Sequence, residues 1–90
     1  MATFAATKGP GSMLDFLFDW SPFLDGDVIE ISEWDVPSGL VSEVETNTTS
    51  TATVWLSGGV VGMCYDVVCR ITSVGGRIDD RTIQISVMDK

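Results

Sequence analysis

The stretch CYDVVCRIT at positions 64–72 alternates with a period of two. Tyr65, Val67, Cys69 and Ile71 fall on one side of an extended chain, with Cys64, Asp66, Val68, Arg70 and Thr72 on the other. A helix does not give such a pattern, because it rotates successive residues through about 100° rather than 180°. The alternation recurs along most of the chain. Phe16, Phe18 and Trp20 alternate with Asp15, Leu17 and Asp19; Ile29 and Ile31 alternate with Glu30 and Ser32. Ala52, Val54 and Leu56 face away from Thr51, Thr53, Trp55 and Ser57, and Ile83, Ile85 and Val87 are again spaced by two. LVSEVET at 40–46 is a weaker strand of the same kind. Apolar residues at i, i+3, i+4 and i+7 never persist through three turns, so no long helix is expected.

Between these runs stand turn signals, SPFLDGD at 21–27, DVPSG at 35–39 and SVGGR at 73–77, while the threonines of NTTST at 47–51 suit a strand edge or a short loop. The Pro, Asp and Gly residues of the turns favour reversals for separate local reasons. Six or seven short, half-buried strands at this spacing predict an all-β fold, an antiparallel β-sandwich whose two sheets pack their apolar faces together. A chain of 90 residues has surface enough for one core only. The sandwich domain is expected over residues 14–90. Residues 1–13, rich in Ala, Thr and Gly with a KGPGS break, show no sustained periodicity and are expected to form an extended N-terminal arm. Its one large apolar side chain, Phe4, is a candidate contact with a neighbouring subunit.

WLSGGVVGMCYDVVCRIT at 55–72 concentrates three glycines, both cysteines and the only tyrosine. A phosphate-binding loop would need a lysine and a following helix, and neither is present. Cys64 and Cys69, five apart on one strand, are separated by roughly 16 Å and lie on opposite faces, which rules out a disulfide between them. A zinc site would need two further Cys or His ligands. Both cysteines are expected as buried free thiols. What remains is a handover between strands. In immunoglobulin-like sandwiches a tyrosine near the start of the penultimate strand turns its hydroxyl back to the backbone a few residues upstream. Tyr65, three residues after Gly62, is placed for such a tyrosine corner, with Gly58, Gly59 and Gly62 supplying the positive-φ passage. The fold expected is therefore an immunoglobulin-like sandwich.

Charge and composition narrow the function. Thirteen acidic residues against five basic ones give a net charge of −8, which disfavours nucleic acid and anionic membrane as partners. No apolar run approaches the ~20 residues of a membrane span, and the N-terminus lacks the pattern of a secretory signal. The absence of histidine removes the commonest general base and metal ligand, so no enzymatic activity, catalytic residue, cofactor or metal is expected. Asp25 and Asp27 around Gly26, and the adjacent Asp79 and Asp80, lack the spacing of a calcium loop and read as turn residues. Three tryptophans are more than a sandwich of this size needs in its core. Trp55, on the face away from Ala52, Val54 and Leu56, is a candidate anchor for a partner.

Three segments, FDWSPFL at 18–24, VWLSGG at 54–59 and GGRIDDRTIQI at 75–85, resemble the phage fiber-tail adaptor proteins, small immunoglobulin-like virion proteins of tailed phages. The resemblance runs over about residues 14–88. It implies a structural virion protein, assembled in the cytoplasm of the host bacterium, that links a fiber or other appendage to the tail or baseplate. Its partners would be other phage structural proteins (tail, baseplate, fiber or capsid), met in multiple copies within a symmetric assembly. The alternative is a capsid cement protein that decorates and stabilises the head.

Overall fold

The computed structural model of the protein describes residues 3–89; Met1, Ala2 and Lys90 lie outside them. Its elements in chain order are β1 (Thr3–Lys8), β2 (Leu14–Asp19), α1 (Ser21–Leu24), β3 (Ile29–Asp35), β4 (Leu40–Asn47), β5 (Thr51–Gly58), β6 (Cys64–Ser73) and β7 (Ile78–Val87). The strands form a four-stranded sheet in the order β1-β7-β6-β3 and a three-stranded sheet in the order β2-β5-β4. The two sheets enclose the core as a sandwich, as the alternation requires. All neighbouring strands are antiparallel except β1 and β7, which run parallel.

The core follows the period-two pattern most closely in the central strands. Ala52, Val54 and Leu56 of β5, Val67, Cys69 and Ile71 of β6, and Ile85 of β7 have no exposed surface. Removing a Val, Leu or Ile side chain from water contributes roughly 1.5–3 kcal/mol, so these three strands fix which side of each sheet faces inward. Aromatic rings fill the space between them. Phe18 stacks on Trp34 at 5.7 Å and meets Trp20 edge-on at 6.3 Å. The SPFL turn is a single helical turn with Pro22 near its start and Leu24 buried. Its last carbonyls are capped by Arg77, whose Nη1 donates to Phe23 O at 3.0 Å.

Edge strands depart from the simple reading. Ile29 is buried, yet Ile31 is 46% exposed, against the expectation that both share one face. The cause is a bulge: Ile29 pairs with Ser73 and Ile31 with Thr72, leaving Glu30 as an extra residue. One inserted residue inverts the faces of everything beyond it, which turns Ile31 outward and brings Trp34 against the core. The second correction concerns the thiols. Both are free, but only Cys69 is buried; Cys64 is exposed at the start of β6.

The N-terminal segment, expected as an arm outside the sandwich, runs instead along the edge of the four-stranded sheet, with Thr3 to Lys8 in register with Thr82 to Val87. Phe4, Ala6 and Lys8 alternate towards the inner side of the sheet, opposite the buried Ile83, Ile85 and Val87. Lys8 is completely shielded, and its ammonium donates to Gly58 O at 2.6 Å and Gly9 O at 2.8 Å. Gly58 belongs to the opposing sheet, so this one side chain ties the two layers together at β1.

Candidate functional site

Trp55 points away from the core and is 37% exposed. In register with it stand Asp15 on β2 and Val44 on β4. Leu17 pairs with Thr53, and Val41 with Ser57. Paired residues project to the same side of a sheet, so Leu17, Val41, Val44 and Trp55 form an apolar stripe on the outer face of the three-stranded sheet. A second bulge makes this possible. Glu43 is the extra residue between Ser42 and Val44, which lets Val41 and Val44, an odd number of positions apart, share one face. Glu43 stays on that face too, its carboxylate accepting a hydrogen bond from the Ser57 hydroxyl.

The other residues singled out from the sequence lie elsewhere. Phe4 is 46% exposed and its ring lies 5.4 Å from that of Phe18. It therefore closes one edge of the core and does not join Trp55, which occupies the opposite face of the sheet carrying Phe18. Tyr65 is buried, and its hydroxyl accepts the backbone N–H of Val60, five residues upstream, at 3.1 Å. Gly58, Gly59 and Gly62 all have positive φ, and the Gly62 N–H donates to Val87 O. Replacing Tyr65 by Phe keeps the ring and deletes the acceptor. A loss of about 1 kcal/mol is expected, read as a drop of roughly 4–8 °C in thermal midpoint for a domain of this size. An unchanged melting curve would show that the hydroxyl contributes nothing.

Charge is distributed unevenly between the layers. β2, β4 and β5 contain no lysine or arginine, and the described cations all lie on β1, β6, β7 or the turn between β6 and β7. Each is engaged inside the molecule. Lys8 bonds carbonyls, and burial lowers its pKa. Arg70 clamps Asp80 with two hydrogen bonds, at 2.6 and 3.0 Å. Arg77 caps α1. Arg81 donates to Asp19 O at 2.8 Å and lies 4.1 Å over the face of Trp20. Burial pushes the Cys69 thiol up to about 12, so it remains protonated and inert. The Trp20 indole N–H beside it pulls the other way, although no acceptor meets that N–H, or that of Trp34, in hydrogen-bonding geometry.

Three carboxyls are held below their ordinary value of 3.8: Asp19 by the Ser21 hydroxyl, Asp27 by the Ser73 hydroxyl, and Asp80 by the Arg70 guanidinium. Between each lowered folded value and the ordinary one, the unfolded chain binds more protons. Their contribution is therefore complete above about pH 4 and is lost as pH falls through the folded values. Urea unfolding at descending pH should show stability falling below pH 4. Asp27→Asn should lower stability near neutrality and flatten the acid dependence. An equally steep acid loss in that variant would contradict the role of Asp27, whose carboxylate also accepts the N–H groups of Val28 and Gly75.

A hollow on the side of the four-stranded sheet is lined by Glu33, Trp34, Asp35, Val68, Arg70 and Asp80. The Arg70–Asp80 pair already satisfies its only cation. Among the described residues no group of three or more Cys, Asp or Glu side chains could hold a metal ion. No described helix is long and apolar enough to cross a membrane. What the surface does offer is exposed apolar area, most coherently in the Trp55 stripe. Residues 8–86 match the protein family described as podophage GP4 fiber-tail adaptor protein gp77. The chain belongs to this family. A fiber-tail adaptor is a structural phage protein, which places the chain in the virion, in contact with other phage structural proteins, and implies a non-enzymatic role. The match begins at Lys8, the residue that joins the two layers of the adaptor, and ends in β7. No match was found among curated proteins.

Trp55 and Tyr65 are singled out by the sequence pattern, whereas Val44, Val41 and Lys8 are not. The signal for Lys8 was available: in TFAATK it stands two and four residues after Ala6 and Phe4, on the same side of an extended chain. For Val41 and Val44 no signal existed without the bulge.

Proposed function

We propose that the protein holds a fiber or other appendage on the tail or baseplate by protein–protein contact, in several copies within a symmetric assembly. In this reading it takes no part in catalysis and contacts neither nucleic acid nor membrane. The family match over residues 8–86 carries the proposal. The sandwich is the rigid part: two layers stapled by Lys8 and Arg81 present a fixed outer surface. Among the described residues that surface carries carboxylates without free cations, which disfavours phosphate.

We assign the sandwich to the immunoglobulin-like class. The strand order supports this, since β2-β5-β4 faces β7-β6-β3 as strands B-E-D face G-F-C in that fold. The back-bonded hydroxyl of Tyr65 near the start of the penultimate strand supports it as well.

The test is a phage in which the gene for this chain is interrupted. Complete heads with tails that lack fibers are expected, together with loss of adsorption to the host. Fibered tails on heads that lose their DNA on mild heating would instead indicate capsid cement and overturn the adaptor role.

A further inference from the structure

We propose that the outer face of the three-stranded sheet, centred on Trp55, docks a different phage structural protein, one that offers an apolar patch rimmed by lysine or arginine. The inference rests on the adaptor reading and adds to it the surface and the chemistry of its partner. Leu17, Val41, Val44 and Trp55 supply an apolar centre of the kind that marks protein interfaces. Asp15, directly opposite Trp55, and Glu43, bonded to Ser57, supply negative charge beside it. The sheet that carries this face contains no cation.

Charge selects between the two possible occupants. A second copy of this chain laid face to face would appose two surfaces that each carry Asp15 and Glu43 and no cation. Other surfaces of a second copy are no better suited, because every described cation is already engaged: Lys8 and Arg77 with carbonyls, Arg81 with Asp19 O and the Trp20 ring, Arg70 with Asp80. Like charges apposed without compensation suppress a wrong partner, whereas a basic rim on a different protein is steered towards this face and fixed in register on it. The occupant is therefore a heterologous, basic-rimmed surface.

The experiment places a photoreactive benzophenone side chain at Thr53, beside Trp55 on the same face, in the chain made during infection, with the same probe at Glu33 on the four-stranded sheet as a control. Irradiated particles should give a cross-link from position 53 to another virion protein, within a few residues of lysine or arginine. Asp15→Lys, checked for folding by circular dichroism, should cut incorporation into particles about tenfold, and Trp55→Ala about 30-fold. A cross-link from position 53 to a second copy of the chain overturns the proposal. So does a chain present in particles with no cross-link from position 53, or undiminished incorporation of Asp15→Lys. Particles that contain none of the chain would overturn the adaptor reading itself, and the docking proposal would fall with it.

Discussion

Trp20→Ala is expected to lower the unfolding free energy by about 3–5 kcal/mol, the largest loss from any single truncation in this chain. The side chain has no exposed surface and is the meeting point of contacts that the rest of the core cannot replace. It packs edge-on against Phe18 at 6.3 Å and Phe23 at 5.8 Å, and the Arg81 guanidinium covers its face. Its backbone N–H bonds Ser50 O, and its carbonyl receives the N–H of Leu24 in α1. An alanine would leave a cavity between the sheets and an arginine with its cation–π partner gone. Small domains have about 5–15 kcal/mol in total, so the variant should be largely unfolded in urea concentrations that the parent withstands. Trp20→Phe should lose much less, because it also removes an indole N–H that has no partner. A loss below about 1 kcal/mol for the alanine variant would mean that the ring does not organise the core.

Gly39→Ala is the second large effect, with an expected loss of about 2–4 kcal/mol from two causes that act together. The residue has φ +107°, outside the range open to an alanine, and a Cβ there would stand 2.8 Å from both Cε1 and Oη of Tyr65. Neither side can move freely. The Gly39 carbonyl accepts the Gly59 N–H at 2.9 Å, and the Tyr65 hydroxyl is held by the Val60 N–H. Gly11→Ala is the matched control, since a Cβ at that position meets nothing within 4 Å. It should lie within about 0.5 kcal/mol of the parent. Equal melting temperatures for the two variants would show that the passage of Tyr65 over Gly39 is not a constraint on the fold.

Burial contrast explains which parts of this architecture were legible in the sequence. β5, β6 and β7 have neighbours on both sides, so one face of each is sealed and the other is open, and that contrast is written directly into their alternation. β3 and β4 are edge strands, each carrying a bulge at an acidic residue, Glu30 and Glu43. Nothing in the residue types at those positions announces an inserted residue, so simple alternation puts Ile31 on the wrong face and gives no sign that Val41 and Val44 share one. The β1 strand was hidden by the opposite circumstance. Its alternation is short, it ends in a lysine, and a lysine is ordinarily read as solvent-exposed. Here the aliphatic stem is buried and the ammonium finds the carbonyl of Gly58 in the opposite layer and that of Gly9 just beyond β1. Arg81 was overlooked in the same way: it stands two residues before Ile83, in the inward series, and reaches over Trp20.

The candidate site shows the same division. Trp55 was legible because an indole among Thr51, Thr53 and Ser57 stands on the wrong side of a strand whose other face is Ala52, Val54 and Leu56. Its apolar companions come from β2 and β4, through registers that only the fold supplies. The charge asymmetry was half visible. A net charge of −8 is a property of the sequence, whereas the internal engagement of every described cation is a property of the structure.

The most direct measurement is a density map of the intact particle at a resolution that traces this chain. The account predicts the sandwich at the junction of fiber and tail, with the outer face of β2, β5 and β4 pressed against a lysine- or arginine-rimmed surface of another protein and Trp55 at its centre. A chain found on the head shell, or at the junction with that face turned to solvent, would contradict it.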